Sequence, residues 1–215
     1  MQTPAHPTSG SITQGLSLVT LAGAGPGDPE LITLKLQKRL AEADVIISDR
    51  LVNPAIILAH ARPDVRIIQA GKQGYNEHSY TQEEVTAFIL EEARKGSKVL
   101  RLKGGDVAFF SNVLDELEAL VKEKIPFEII PGITAASGAS AYAGIPLTAR
   151  GYAQGVRFIA FNPNQQFDEA TFRSLAPGTD TIVVYMAVRN LGELTQQLLS
   201  YEADPQRKIA VVEQA

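Results

Sequence analysis

Short apolar runs alternate along the chain with longer segments in which apolar and charged residues recur at helical spacing. An alternation of strand-like and helix-like patterns is typical of α/β proteins with a parallel sheet. We therefore predict an α/β fold in which strands and helices follow one another. The predicted strands lie near residues 18–21, 44–48, 65–69, 98–102, 127–130, 156–161, 181–187 and 208–213.

A break in this pattern after the fifth strand predicts two domains. Pro131 and Gly132 interrupt the apolar run, and the chain then restarts with strands of its own. We predict a disordered tail over 1–15, an N-terminal α/β domain over 16–131 and a C-terminal α/β domain over 132–215. The last strand ends next to Ala215 with no helix to cover it. We therefore expect the C-terminal domain to be truncated or completed by a partner.

Capping and stop signals indicate where the helices lie. In the first helix, Leu31, Leu34 and Leu40 are expected to face inward and the basic residues between them outward. Residues 81–84 have the Thr-x-x-Glu pattern of a capping box, and Gly96 is a stop signal. Together they predict a helix that ends at about residue 95. Two further helices are predicted over 169–175 and 191–201.

The segment 16–31 combines a buried strand, a glycine-rich turn and the start of a helix, which is a common cradle for a polar small molecule. It nearly matches the dinucleotide-binding pattern G-x-G-x-x-G, but Asp28 stands where the third glycine is needed. Pro26 also removes a backbone donor from the turn. A negative charge at a helix N-terminus disfavours a diphosphate there. The loop therefore favours a zwitterionic or cationic ligand.

Charged residues and glycines follow several predicted strands. Because open α/β sheets bind ligands beyond the carboxyl ends of their strands, these residues are candidate site residues. The alternative for Asp49 is that it caps the short helix beginning near Pro54, and the alternative for Lys72 is an ordinary solvated lysine. The candidates are Asp49 and Arg50, Gly71 and Lys72, and the run Lys103, Gly104, Gly105 and Asp106.

Composition narrows the class of protein. The 215 residues are 45% hydrophobic and 20% charged, as in ordinary globular domains. The absence of cysteine excludes disulfides, thiolate nucleophiles and the common zinc patterns, and three scattered histidines do not predict a metal site. A formal charge of -4 without a basic block gives no support for nucleic-acid binding. With no apolar run of membrane-spanning length and no signal segment, we expect a cytoplasmic protein.

Several motifs in order resemble the tetrapyrrole methylase family, and most closely its uroporphyrinogen-III C-methyltransferase branch, which includes the methyltransferase half of sirohaem synthase. They are GAGPGDPELITL, SDRLV, LRLKGGD, PGITAASGASAYAGIPLT, VVYM and the final AVVEQA. The resemblance covers residues 18–215. It implies two α/β domains with a cofactor cleft between them, a homodimer and S-adenosyl-L-methionine as cofactor.

The resemblance also implies an activity and residue roles. The implied reaction methylates uroporphyrinogen III at C2 and C7, giving precorrin-2 and S-adenosyl-L-homocysteine, in porphyrin, sirohaem or cobalamin biosynthesis. Asp49 is then the proton acceptor and Lys72 the proton donor. Arg50, Lys103 and Arg150 would meet the substrate carboxylates. The implied cofactor positions are Pro26, Gly104, Gly105, Asp106, Phe109, Thr134, Ala135, Met186 and Ala215.

Four departures from the family pattern lie on the presumed substrate side. The family usually reads DPFIFGRGGEE after the two glycines, whereas residues 106–116 read DVAFFSNVLDE and place Asn112 at the arginine position. The others are Ala149 with Gly151, then Ser48, and Phe161 with its following asparagine. These departures leave open the alternative that the chain is a family member that acts on another tetrapyrrole or has impaired catalysis. A third alternative, from the general α/β pattern, is a nucleotide-binding regulatory module.

Overall fold

The computed structural model describes residues 16–70, 80–161 and 169–212. The chain forms two compact units, Met1–Ala135 and Ala136–Ala215. The boundary that the sequence predicts, between residues 131 and 132, lies close to this division. Within the described ranges, no helix is both long and apolar enough to cross a membrane.

The first unit contains a five-stranded, fully parallel sheet with strand order β3-β2-β4-β1-β5. This sheet and its helices confirm the predicted α/β fold. The three central strands, β1, β2 and β4, are buried along their whole length, as expected for a parallel sheet covered on both faces. The strands are β1 Val19–Gly23, β2 Val45–Ser48, β3 Arg66–Gln69, β4 Val99–Lys103 and β5 Phe127–Ile130.

Helices cover both faces of this sheet. Alternate strand residues point to opposite faces, so each face has its own apolar cluster. One cluster joins Ile46 and Leu100 to the first two helices, and the other joins Ile47 and Val99 to the next two. Each fully buried aliphatic side chain in these clusters stabilises the fold by about 1.5–3 kcal/mol. The helices are α1 Leu34–Glu42, α2 Pro54–His60, α3 Gln82–Arg94 and α4 Val113–Lys122, and α5 Ala135–Ala143 begins where the unit ends.

The inward face of the first helix differs from the predicted one. Leu36 and Leu40, one turn apart, are buried in α1, whereas Leu34 is 78% exposed. The prediction for Leu34 was wrong because Leu34 is the first residue of the helix. Thr33 caps that helix by accepting a hydrogen bond from the Leu36 amide. Leu31 belongs to a separate 3₁₀ turn, Pro29–Leu31.

The capping box predicted at the start of α3 is confirmed. The Thr81 hydroxyl accepts from the Glu84 amide at 3.2 Å, and the Glu84 carboxylate accepts from the Thr81 amide at 2.7 Å. The helix ends at Arg94, and Gly96 follows with a φ of 84°, the left-handed conformation that a glycine stop signal provides.

The second unit contains two parallel strands, β6 Val156–Ala160 and β7 Thr181–Tyr185, with helices α6 Glu169–Leu175 and α7 Leu191–Ser200. Phe161, Phe172 and Leu194 form part of its small core. The strand predicted over 208–213 is absent from the described residues 208–212, where Ile209 and Val211 are more than half exposed. Local apolar character was insufficient because a strand also needs a neighbouring strand to pair with.

Candidate functional site

The carboxyl ends of the strands in the first unit lie along one edge of the sheet. Gly23 of β1 is in register with Lys103 of β4, Ser48 of β2 with Leu102, and Ala22 with Ile130 of β5. The segments that follow these strands therefore start at the same edge. This edge is where parallel α/β sheets bind ligands, and it carries most of the candidates predicted in the first unit.

Four glycines let these segments approach one another closely. A Cβ atom added at Gly132 would lie 2.2 Å from the carbonyl oxygen of Gly105, and one added at Gly23 would lie 2.5 Å from the same oxygen. Gly25 and Gly105 also exchange two backbone hydrogen bonds of 3.0 and 2.8 Å. The glycine pattern that we interpreted as room for a ligand thus also serves backbone packing between the loops.

Asp106 joins two of the loops. Its side chain accepts hydrogen bonds from the amides of Ala108 and Gly132, both at 2.7 Å, and the residue is 7% exposed. A Cβ added at the neighbouring Gly105 would lie 3.8 Å from the Ala135 amide nitrogen and 4.0 Å from Thr134 Cα. The structure therefore brings together four of the predicted cofactor positions. Gly104 lies beside them and packs against Leu51, whose Cβ would be 2.9 Å from an added Cβ.

The loop after β1 has its own internal support. The Asn53 side-chain amide donates to the carbonyl of Gly27 at 2.7 Å, and the carboxylate of Asp28 accepts from the Glu30 amide at 2.8 Å. Asp28 therefore caps the short helical turn that follows the loop. A diphosphate at this helix start would meet a carboxylate already in place, which disfavours the nucleotide-binding alternative. The predicted cofactor position Pro26 lies half-buried in the same loop.

Asp49 begins the segment after β2, and its amide donates to the carbonyl of Leu102 at 3.0 Å. Helix α2 is capped by Asn53, which accepts from the Ala55 amide at 3.0 Å. The alternative that Asp49 caps this helix is therefore wrong. The Asp49 side chain is 32% exposed and forms an ion pair of 2.5 Å with Arg101.

Arg101 and Glu116, which sequence reasoning missed, lie behind Asp49. Arg101 is on β4 with its side chain 3% exposed, and its Nε donates to Glu116 Oε1 at 2.9 Å. Glu116 is on α4 and has no exposed side-chain surface. The available signal was a single arginine between Leu100 and Leu102 in an apolar strand, because a charge in such a run needs a buried partner.

Lys103 belongs to the same buried network. Its side chain is 2% exposed, its ammonium group donates to the Ser111 carbonyl at 2.7 Å, and it lies 3.2 Å from Glu116. Burial lowers the pKa of the Lys103 amine, and the neighbouring Arg101 charge lowers it further. The family resemblance implied that Lys103 would meet the substrate carboxylates, but in the structure its ammonium group is bonded inside the unit.

The segment between Asp106 and α4 departs most from the family pattern. Phe109 and Phe110 are 37% and 44% exposed. Phe110 and Asn112 have φ values of 52° and 51°. Asparagine adopts this left-handed conformation more readily than most residues, which gives Asn112 a local conformational reason to be there. Its side chain makes no capping hydrogen bond to α4.

Four of the remaining candidates belong to the second unit or lie outside the described residues. Arg50 is exposed beside Asp49 in the first unit. Met186 and Arg150 belong to the second unit, where both are exposed, and Met186 has a φ of 63°. Lys72 and Ala215 lie outside the described residues. Within the described part of the chain, no cluster of histidine and acidic side chains could hold a metal ion.

Comparisons with known proteins identify relatives of the whole described fold. Residues 18–215 match the family described as tetrapyrrole (corrin/porphyrin) methylases. The chain is 46% identical over 195 residues to a uroporphyrinogen-III C-methyltransferase of Priestia megaterium, covering 90% of this chain and 81% of that protein. It is also 46% identical over 204 residues to a siroheme synthase of Psychromonas ingrahamii, covering 95% of this chain but only 42% of that longer protein.

Solved structures give the same assignment. A cobalt precorrin-4 methyltransferase superposes with a TM-score of 0.76 at 27% identity, covering 86% of this chain and 75% of that one. A uroporphyrin-III C-methyltransferase from Thermus thermophilus, complexed with S-adenosylhomocysteine, gives a TM-score of 0.69 at 33% identity, covering 88% of this chain and 75% of that one. The family match extends over nearly the whole sequence. This chain therefore belongs to the tetrapyrrole (corrin/porphyrin) methylase family.

Proposed function

We propose that the chain is an S-adenosyl-L-methionine-dependent methyltransferase that methylates uroporphyrinogen III at C2 and C7, giving precorrin-2 and S-adenosyl-L-homocysteine. The observation that carries this proposal is the 46% identity to the Priestia megaterium uroporphyrinogen-III C-methyltransferase, over 81% of that protein. The Thermus thermophilus relative complexed with S-adenosylhomocysteine supports the choice of cofactor.

The edge of the first unit fits such a cofactor. Bound S-adenosyl-L-methionine supplies an electrophilic methyl group on a sulfonium and carries no phosphate. The Asp28 carboxylate at the helix start after β1 is compatible with that charge and unfavourable to a diphosphate. Gly104, Thr134 and Ala135 offer mainly backbone donors and acceptors, which suit the hydroxyl, amine and carboxylate groups of this cofactor. Gly105 lies beside them with its backbone hydrogen-bonded to Gly25.

Asp106 supports this binding surface in our proposal by holding the loop after β5. Because its carboxylate accepts from both Ala108 and Gly132, it holds the loop after β4 against the loop after β5. A carboxylate has further lone pairs for a ligand hydroxyl. The other proposed cofactor positions are Pro26, Phe109, Met186 and Ala215.

Asp49 is the proposed proton acceptor. C2 and C7 of uroporphyrinogen III carry carboxymethyl side chains and no hydrogen, so transfer of a methyl group to them leaves a positive charge on the ring. Loss of a proton from another position of the macrocycle, such as a meso carbon, neutralises this charge, and a positioned carboxylate can accept that proton. The Asp49 side chain is partly exposed at the sheet edge, while Arg101 holds it from behind. Lys72 is the proposed proton donor. The exposed Arg50 and Arg150 are the proposed partners of the substrate carboxylates, whereas the buried Lys103, bonded to Ser111 and Glu116, is not available for that role.

The direct test is an assay of the purified protein with S-adenosyl-L-methionine and freshly prepared uroporphyrinogen III. We expect product that gives the red fluorescence of oxidised precorrin-2, and S-adenosyl-L-homocysteine binding by calorimetry. Cofactor binding without any product would contradict the proposed substrate or activity. The homodimer that the family resemblance implies is also a proposal, tested by sedimentation velocity.

A second candidate is a family member that binds S-adenosyl-L-methionine but acts on another tetrapyrrole or has impaired catalysis. The observation that favours it is Asn112 at the family's arginine position, in a segment that also exposes Phe109 and Phe110. An amide cannot supply the charge or the five donors of a guanidinium group. If the parent protein binds the cofactor without turnover, and Asn112→Arg restores product, this candidate replaces the first.

A further inference from the structure

We propose that Arg101 and Glu116 are positioning residues for Asp49: Glu116 fixes Arg101, and Arg101 fixes the carboxylate that accepts the proton. The inference deepens the proposed function and rests on it, because the role of Asp49 belongs to that proposal. Neither Arg101 nor Glu116 reaches the exposed edge, so both act through Asp49.

Arg101 is held from several directions. Its Nε donates to Glu116 at 2.9 Å, and its Nη1 lies 3.3 Å from the carbonyl oxygens of both Ile47 and Leu102. Its Nη2 donates to Asp49 Oδ1 at 2.5 Å. All three nitrogens of the planar guanidinium group are therefore engaged, which leaves the group little freedom to rotate. Ile47 and Leu102 belong to central strands. Through Arg101, the Asp49 carboxylate is therefore held in a fixed orientation relative to the sheet.

Glu116 is the anchor of this arrangement. Its Oε1 accepts from Arg101 and from the side-chain amide of Gln82 at 3.1 Å, and lies 3.2 Å from the Lys103 ammonium group. Its Oε2 is buried and has no hydrogen-bond partner among the described residues. Burial of a carboxylate with an unsatisfied oxygen costs desolvation free energy, so a stabilising effect of Glu116 on the fold does not explain its presence here. Its direct connection to Arg101 gives it a positioning role instead.

The network of four charged side chains has one partly exposed member, Asp49. Two cations, Arg101 and Lys103, are balanced by two carboxylates, Asp49 and Glu116. Three of these four side chains are 3%, 2% and 0% exposed, whereas the Asp49 side chain is 32% exposed. The network therefore presents one carboxylate to the edge while its other members stay inside. In the proposed reaction, the sulfonium's methyl group is transferred to C2 or C7, and the proton that the macrocycle then loses at another position passes to this carboxylate.

A double-mutant cycle tests the inference. Arg101→Lys keeps the charge and loses the fork of donors, so turnover should fall about 10-fold or more while the Kd for S-adenosyl-L-homocysteine stays within about twofold. Asp49→Asn should lower turnover by about 10²-fold or more. Because Arg101 acts through Asp49, the double variant should be no slower than Asp49→Asn alone. Glu116→Gln should lower turnover in the same way as Arg101→Lys.

The control variant is Arg62→Lys, which removes the same fork from a salt bridge to Asp44 outside this network. It should leave turnover unchanged. Turnover of Arg101→Lys equal to that of the parent, or additive losses in the double variant, would overturn the inference. If Arg101→Lys does not fold, the same turnover and Kd measurements are made on Glu116→Gln.

A crystal structure of the variant separates this inference from the proposed function. An inactive parent protein would contradict the proposed function, and the positioning role would then be judged by geometry alone. We expect the Asp49 carboxylate to leave its present orientation in Arg101→Lys or in Glu116→Gln. An unmoved carboxylate in both variants would overturn the inference, whatever the activity of the parent.

Discussion

Asp106 shows how a residue-scale contact can support a binding surface. Its carboxylate accepts from the amides of Ala108 and Gly132, so Asp106→Ala removes the connection between two loops that carry proposed cofactor positions. We expect the affinity for S-adenosyl-L-homocysteine to fall about 10-fold or more, since each lost hydrogen bond to a charged group contributes about 1.5–3 kcal/mol. Isothermal titration calorimetry measures this change directly.

Lys72→Ala is the variant to compare with Asp106→Ala, because the two should affect different steps. As the proposed proton donor, Lys72 should be dispensable for cofactor affinity and needed for turnover, with kcat reduced about 10²-fold. The opposite pattern, in which Asp106→Ala spares binding and Lys72→Ala abolishes it, would refute the two role assignments.

Sequence reasoning found the exposed part of the residue network and missed the buried part. Asp49 was predicted because it follows a buried strand directly. Arg101 and Glu116 were missed because their pairing joins residues that are distant in sequence, and an amphipathic helix offers many glutamates that simply face water. Only the structure shows that Glu116 faces inward and meets Arg101 at 2.9 Å. The same non-local pairing accounts for the burial of Lys103.

At the scale of elements, the contact between loops depends on Gly132. An added Cβ there would lie 2.2 Å from the Gly105 carbonyl oxygen and 2.8 Å from the Gly23 carbonyl carbon, both backbone atoms that cannot rotate away. Gly132→Ala should therefore destabilise the protein by about 2 kcal/mol or more, as in other overpacked sites. Chemical denaturation measures this loss.

The matched control is Gly192→Ala in helix α7. No atom lies within 4 Å of an added Cβ at Gly192, and alanine favours the helix over glycine by up to about 1 kcal/mol. This variant should be as stable as the parent or more stable. Equal effects of the two substitutions would refute the packing role of Gly132.

Glu128 links three elements and makes stability depend on pH. Burial opposes ionisation of this carboxyl, but hydrogen bonds from Arg39, Lys35 and Thr20 outweigh it and lower its pKa from 4.5 to about 2. Since the pKa is lower in the folded protein, the resulting stability is present above pH 4.5 and is lost as the pH falls towards 2. Glu128→Gln should reduce the free energy of unfolding by about 2 kcal/mol at neutral pH.

Measuring the free energy of unfolding at several pH values tests the role of Glu128 more specifically. The difference between parent and Glu128→Gln should shrink progressively below pH 4.5 and nearly vanish near pH 2. Glu118→Gln, at an exposed glutamate on α4, serves as the control and should follow the parent throughout. A difference for Glu128→Gln that stays constant with pH would contradict the assigned role of this carboxyl.

Strand positions in the first unit were largely predictable because central parallel strands are continuous apolar runs, and β5 was predicted at its observed bounds. Helix starts followed from Thr81 with its capping box, whereas the inward face of α1 was misassigned because its first residue was taken for an interior one. The strand expected over 208–213 shows the limit of local patterns, since pairing depends on a neighbour elsewhere in the chain.

For the whole molecule, the order of motifs identified the family that the comparisons establish. The sequence also placed Gly104, Gly105 and Asp106 at the sheet edge, because glycines and a carboxylate follow a buried strand there. It could not show that these glycines pack against other loops, since that contact forms only when β1, β4 and β5 are brought together in the sheet.

Transfer of methyl groups to uroporphyrinogen III is the activity that we propose for this chain. The most direct measurement is mass spectrometry of the tetrapyrrole after incubation with the purified protein and S-adenosyl-L-methionine carrying a deuterated methyl group. We expect a product that has gained two labelled methyl groups, at C2 and C7 by NMR, and an Asp49→Asn variant that produces far less of it. Unlabelled tetrapyrrole from a protein that binds S-adenosyl-L-homocysteine would contradict the claim.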